Sequence, residues 1–240
     1  MKRIAFVAVK GGTGRTTTAV HTAHGLALAG HRVALVDCDP RNGVATVFGV
    51  DPGPGLAELL QTGTATALEV RHGLQLIASG GAALSRLETD MASGLEPDFD
   101  RLFAALVDRE FVLFDTAPWC GPLQRAVLRS CETWIVPFGA DALGLAALRS
   151  GLADLDSIRT EDTLIELLPT FFDPEAAFEA KLGAALAQEF ALFASTCRIR
   201  CSNALRAAMS HRGTIFDSDP RSESAWDLVR LIERLRGRAA

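Results

Sequence analysis

A chain of 240 residues, 48% of them apolar, is long enough to bury a substantial core, most simply as one α/β domain spanning residues 1–240. The net charge of −5 excludes a protein that coats nucleic acid over its whole surface. No apolar run approaches the roughly 18 residues of a membrane span, and no secretory leader precedes the first apolar run, so a cytoplasmic protein is expected.

Apolar runs alternate with helical stretches along the chain. The strand candidates are 3–9, 32–37, 74–78, 111–115, 133–137 and 163–169, with a short one near 197–200. Helices are expected at 16–29, 55–61, 98–108, 122–130, 141–157, 175–190, 203–210 and 222–236. This alternation predicts a doubly wound α/β fold, a mainly parallel sheet covered by helices on both faces.

The first apolar run, Ile4 to Val9, leads into Lys10-Gly11-Gly12-Thr13-Gly14-Arg15-Thr16-Thr17-Thr18 and then a helix. Strand, glycine-rich turn and helix form an anion cradle, because glycines let backbone N–H groups turn inward and the helix N-terminus adds partial positive charge. The loop departs twice from the G-x-x-x-x-G-K-[ST] phosphate-binding pattern: Val9 stands at the first glycine and Arg15 at the lysine. A lysine stands instead at the front of the loop, as Lys10. Thr16 occupies the position whose hydroxyl binds Mg²⁺ in such loops.

Two further segments belong with this loop. The strands 32–37 and 111–115 are short, apolar and end in Asp37 and Asp115, and ligands in such folds bind at the carboxyl ends of strands. Asp37-Cys38-Asp39-Pro40-Arg41-Asn42 follows the first of them, and Asp115-Thr116-Ala117-Pro118 closes the second. A strand-terminal aspartate beside a phosphate cradle can hold the water shell of Mg²⁺. Each piece alone has a plainer reading as a tight turn or helix cap; their joint occurrence points to a nucleotide site. Asp37 reads equally well as a structural brace and as a catalytic group.

Five cysteines without a C-x-x-C pair indicate reduced, mostly packed thiols. From Cys197 onward nine arginines (198, 200, 206, 212, 221, 230, 234, 236 and 238) face five acidic residues, a local +4 that leaves −9 on the first 196 residues. A basic segment on an acidic body suggests an anion-facing patch, or a solvated helix face.

These motifs resemble the ParA/MinD family of deviant Walker-type P-loop ATPases, whose loop reads K-G-G-x-G-K-[ST]-T-T and whose next signature is D-x-D-P-Q. The resemblance extends over nearly the whole chain, through Gly25–Val33, Leu168–Asp173, Ser210–Phe216 and Asp219–Ser222. It implies ATP and Mg²⁺ as cofactors and a homodimer in the ATP state. Lys10 would reach the partner's nucleotide phosphates, and Gly11, Gly12, Thr13, Gly14, Arg15 and Thr17 would cradle phosphate. Thr16, Asp39 and Asp115 would serve the metal, with Asp39 also positioning the attacking water. Pro169 and Thr170 would lie at the base.

Family members bind DNA non-specifically through basic residues, here Arg198, Arg200 and Arg221, or reach a membrane through an amphipathic tail. The residues after the last predicted helix, Gly237 to Ala240, are too short for such a tail, which favours DNA and a cytoplasmic, nucleoid-associated protein. An activating partner or cargo adaptor is implied as well.

The chain also departs from the family. Arg15 replaces the phosphate-bridging lysine, and the two are not interchangeable at a tight site. Loss of one well-placed donor costs roughly 10²–10³ in rate. Arg41 stands for the glutamine, and Ala207 where partition members carry glutamate. Weak hydrolysis is therefore expected, with binding better preserved. The alternative is a regulatory or scaffold subunit with little turnover, such as the ParA-like accessory protein of cellulose synthesis. A small-molecule kinase or synthetase finds no second substrate site in the sequence.

Overall fold

Val33–Cys38 and Phe111–Thr116 are buried along their whole length. Strands buried on both faces need cover on both, and helices supply it. The computed structural model describes residues 1–64, 66–118, 121–173, 175 and 178–237. Its strands are β1 (Lys2–Phe6), β2 (Val33–Cys38), β3 (Leu68–Arg71), β4 (Leu74–Ile77), β5 (Phe111–Thr116), β6 (Thr133–Gly139), β7 (Leu164–Phe172) and β8 (Ile199–Arg200). The helices are α1 (Arg15–Leu28), α2 (Gly43–Phe48), α3 (Leu56–Thr62), α4 (Ala82–Ala92), α5 (Phe99–Ala105), α6 (Pro122–Arg129), α7 (Ala142–Asp156), α8 (Glu179–Glu189), α9 (Asn203–Ser210), α10 (Ile215–Ser218) and α11 (Glu223–Gly237).

The sheet order is β3-β4-β2-β5-β1-β6-β7-β8. All pairs are parallel except β3 with β4. Alternate side chains of β1 feed two cores. Ile4 and Phe6 join the layer of α1 and α11, while Ala5 and Val7 join the layer that includes α3, α6 and α7. The chain reverses its winding direction around β1, which places the loop after β1 at the switch point where open α/β sheets bind ligands.

The predicted doubly wound sheet is present. The hairpin strand β3 was not anticipated; its alternating Leu68-Glu69-Val70-Arg71 leads into His72-Gly73, where Gly73 takes φ 76° in the turn. The helices α2, α4 and α10 were also not anticipated. The predicted helix 175–190 appears as α8, and Pro174, Ala176 and Ala177 at its start lie outside the described residues, as do Cys120 and Arg238. The described cysteines are free thiols, with Cys38, Cys131 and Cys197 buried and Cys201 exposed. Among the described residues no helix is long and apolar enough to cross a membrane.

Val9, the departure at the first glycine position, has a packing partner. A Cβ on Gly151 of α7 would lie 2.5 Å from the Cβ of Val9. The glycine that the loop lacks is thus supplied by the helix it rests on. Gly151→Ala should force Val9 and the loop behind it to shift, at a cost of about 1–3 kcal/mol. A fall of about 2–4 °C in Tm per kcal/mol would report it in thermal unfolding.

On the other face, α1 is held down by α10 and α11. His21 Nδ1 donates to the Thr17 carbonyl at 2.7 Å, so in the neutral ring Nε2 is unprotonated, and it is buried without a partner among the described residues. Burial pushes the His21 pKa from 6.5 to about 4. The unfolded chain therefore binds a proton that the fold refuses between those two values. Stability should be fully present above pH 6.5 and fall as pH drops through that window. His21→Phe should flatten this acid limb in urea unfolding curves measured across the same range.

Candidate nucleotide-binding site

After Phe6 the backbone leaves the sheet and turns through the glycines. Gly12 and Gly14 both take φ 78°, a left-handed conformation that favours glycine. Gly14 caps α1 without a side-chain hydrogen bond, so the first-turn N–H groups face the loop's concavity and can receive an anion. Thr170 Oγ1, at the end of β7, lies 2.8 Å from the Thr13 carbonyl and 2.9 Å from the Phe138 carbonyl, tying the loop to two strands. Phe171 follows with φ 54°, unusual for an aromatic residue, and its ring stands over Gly14.

Two adjoining cavities result. One, of about 230 Å³, is lined by the loop from Lys10 to Thr17 together with Arg41 and Pro118. The other, of about 70 Å³, shares Gly14 and Thr17 and is lined chiefly by apolar surface, including Phe171, Ile199, Leu205 and Met209.

The sheet register sets Asp37 opposite Asp115 and Asp115 opposite Phe6. The two carboxylates therefore stand level with the start of the loop. Asp37 accepts the N–H of Asp39 at 2.9 Å on one oxygen and that of Val44 at 3.1 Å on the other. Burial and the neighbouring Asp115 lift its pKa to about 8. Both oxygens serve the backbone, so Asp37 acts as the brace of the loop after β2.

Asp39 is 4% exposed. Arg41 forks onto it, with Nε 3.0 Å from Oδ1 and Nη2 2.6 Å from Oδ2, and Arg15 Nη2 reaches Oδ2 at 3.2 Å. Burial alone would raise the Asp39 pKa; the fork and backbone N–H of Arg41, with the charges of Arg41 and Arg15, together outweigh it and hold the group below the ordinary carboxylate value.

Asp115 accepts Arg15 Nε at 2.8 Å on Oδ1. Burial raises its pKa, while Arg15 and the Thr16 hydroxyl pull in the opposite direction. Its Oδ2 is buried and has no partner among the described residues. This orphaned oxygen beside the Thr16 hydroxyl fits a hydrated divalent cation.

The fold brings Lys10, Gly11, Gly12, Thr13, Gly14, Arg15, Thr16, Thr17, Asp39, Asp115 and Thr170 to one place. Pro169 is buried within β7 and does not line the apolar cavity. Arg200 lines that cavity rather than an open surface, and its guanidinium is bound to Asp227 (Nε to Oδ2, 2.7 Å) and to Glu223. Arg198 stacks at 5.2 Å on the ring of Phe172, and Arg221 is exposed. From the sequence, Arg41 and Asn42 belong to the segment after β2 that joins the site but carry no assigned role, and Phe171 has none. Arg41, a charged residue where the family signature has glutamine, offered a signal; the φ of Phe171 offered none.

A family model described as an AAA domain matches residues 1–166. The chromosome-partitioning ATPase Soj of Thermus thermophilus is 30% identical across 99% of this chain and 96% of its own length. The chain belongs to the ParA/MinD family of P-loop ATPases. Its fold matches apo McdA of Cyanothece (TM-score 0.83, 19% identity, 98% of this chain and 99% of that one). It also matches cobyrinic acid a,c-diamide synthase of Mycobacterium smegmatis with bound ADP and magnesium (TM-score 0.78, 22% identity, 98% and 94%). At these identities the likeness is one of fold.

Arg15 bridges two buried carboxylates, so its removal should cost more than an ordinary surface change. Arg15→Ala is expected to lose roughly 3–5 kcal/mol in urea unfolding, because it strands Asp115 without a counter-charge. Arg15→Lys, which keeps one cation there, should lose markedly less.

Proposed function

We propose that this ParA/MinD-family protein is a nucleotide-switched ATPase that positions or segregates DNA or another cargo. It binds ATP with Mg²⁺ and closes into a dimer in which Lys10 reaches the partner's phosphates. The observation that carries this reading is the convergence of the uncapped α1 N-terminus, Arg15, Thr16 and Asp115 on one cradle, with Lys10 at its exposed mouth.

The backbone N–H groups of the loop and the Arg15 guanidinium would hold the phosphates. Thr16 and Asp115 would hold the hydrated Mg²⁺, which when bound neutralises charge on the phosphate oxygens. The apolar cavity beside Gly14 and Thr17 would take the base. Asp39 would position the attacking water only when it is free of its arginine fork, so turnover is slow and depends on a stimulating partner.

The same clamp on Asp39 favours a second reading, a regulatory or scaffold subunit that uses nucleotide to hold a dimer and turns over little. Non-specific DNA contact would fall to Arg198 and Arg221, with Arg200 contributing less because Asp227 and Glu223 already offset its charge. Residues 1–240 would act as one nucleotide-binding domain at the nucleoid.

Size-exclusion chromatography with light scattering should show a dimer with ATP and Mg²⁺ and a monomer for Lys10→Ala. ATP hydrolysis measured with and without DNA then separates the readings: stimulation supports the ATPase, and a nucleotide-bound dimer with no turnover supports the scaffold. If Arg15→Lys leaves both rate and dimerisation untouched, Arg15 is not at the phosphates. Substitution of Arg198 and Arg221 by alanine should weaken DNA binding and reduce its salt dependence.

A further inference from the structure

We infer that Arg41 reads the terminal phosphate of a bound nucleoside triphosphate, exchanging its present partner Asp39 for that phosphate. This rests on the nucleotide-binding reading above and names a residue that the family pattern does not supply, since glutamine stands there.

The two cavities give the site a direction. They share Gly14 and Thr17, so a nucleotide with its base in the apolar cavity runs its phosphates away from Leu205 and Met209. Arg41, with Lys10 and Pro118, lines the phosphate cavity and not the apolar one. Arg41 therefore stands where the last phosphate arrives, not the first.

The side chain is placed for an exchange of partners. Arg41 is 66% exposed while the Asp39 it grips is 5% exposed, so the guanidinium spans the boundary between solvent and the buried carboxylates. Its Nε and Nη2 make a two-pronged contact with Asp39, and its Nη1 makes no hydrogen bond among the described residues. A terminal phosphate offers the same paired acceptors with more charge.

Asp39 would not be stranded by the exchange. It keeps Arg15 Nη2 at 3.2 Å and the Arg41 backbone N–H at 3.1 Å. The backbone on either side is pinned. Asp37 braces one end, and at the other Asn42, at φ 53°, accepts the N–H and hydroxyl of Ser79 at 3.2 and 2.7 Å. The movement is thus confined to the Arg41 side chain. A diphosphate would leave Arg41 on Asp39, and a triphosphate would draw it away and release that face of Asp39.

Isothermal titration with AMPPNP and with ADP, both with Mg²⁺, tests this on the wild type and on Arg41→Gln. Arg41→Gln should weaken AMPPNP binding by about tenfold while leaving ADP within about twofold, since only the terminal phosphate loses a two-pronged donor. Arg41→Lys keeps the charge without the fork and should show the same selective loss in smaller measure. This covers the case in which Arg41→Gln does not fold. Equal losses for the two nucleotides, or no loss for either, would overturn the assignment of Arg41 while leaving nucleotide binding intact. A wild type that binds neither nucleotide would overturn both.

Discussion

Asp37, Asp39 and Asp115 stand together at the carboxyl ends of β2 and β5, and all three are buried. Such a group is tolerated away from water only where each member is neutralised, paired or hydrogen-bonded. The compensation is shared out unequally. Asp37 takes two backbone N–H groups, Asp39 takes the fork of Arg41, and Arg15 bridges Asp39 to Asp115. Because Arg15 is also the first residue of α1, this bridge fixes the helix that carries the phosphate-binding N–H groups against the strands that carry the carboxylates. A lysine ammonium is a point charge. The planar guanidinium has separate donors for two carboxylates, which accounts for its fit at a position where the family carries lysine.

The shape of the cradle comes from neighbours distant in sequence. Gly151 on α7 leaves room for Val9, Thr170 on β7 holds the Thr13 carbonyl, and Phe171 covers Gly14 in a strained backbone conformation. The loop can therefore lose a glycine at its first position and still turn, because the space is made elsewhere. Charge near the site follows the same logic. Lys10, Arg15 and Arg41 line one cavity, and two of them are at present engaged with carboxylates rather than free. A nucleotide entering that cavity would compete with ion pairs already in place.

The C-terminal arginines show how a local count of charge can overstate a surface. Arg200 is bound to Asp227 and Glu223, Arg230 to Asp227, Arg234 to the buried Glu166, and Arg236 to Glu233. Four of the nine thus hold α11 and its neighbours in place, so fewer cations stand open on this side than nine arginines suggest, although three of their four acidic partners are already counted in the local +4. Arg206, Arg212 and Arg221 are exposed. Any anion held here meets fewer free cations than the composition implies.

The doubly wound sheet, the loop at Lys10–Thr17 and the carboxylates Asp39 and Asp115 were legible in the sequence because each rests on a local pattern. Apolar runs make strands, glycines permit the turn, and an aspartate ends a strand. The role of Asp37 was left open between brace and catalyst, and only the two N–H groups that converge on it favoured the brace. β3 carries an alternation and a His-Gly turn that are readable in the sequence. Arg200 is a DNA-facing cation by the family resemblance, and its acidic partners lie 23 and 27 positions further along the chain. The sequence by itself determined the fold and the family and pointed to the place of the candidate site, since these follow from periodicity and short motifs. Only the tertiary structure decided which carboxylate each arginine grips, because strand register and helix packing set those distances and no local pattern encodes them.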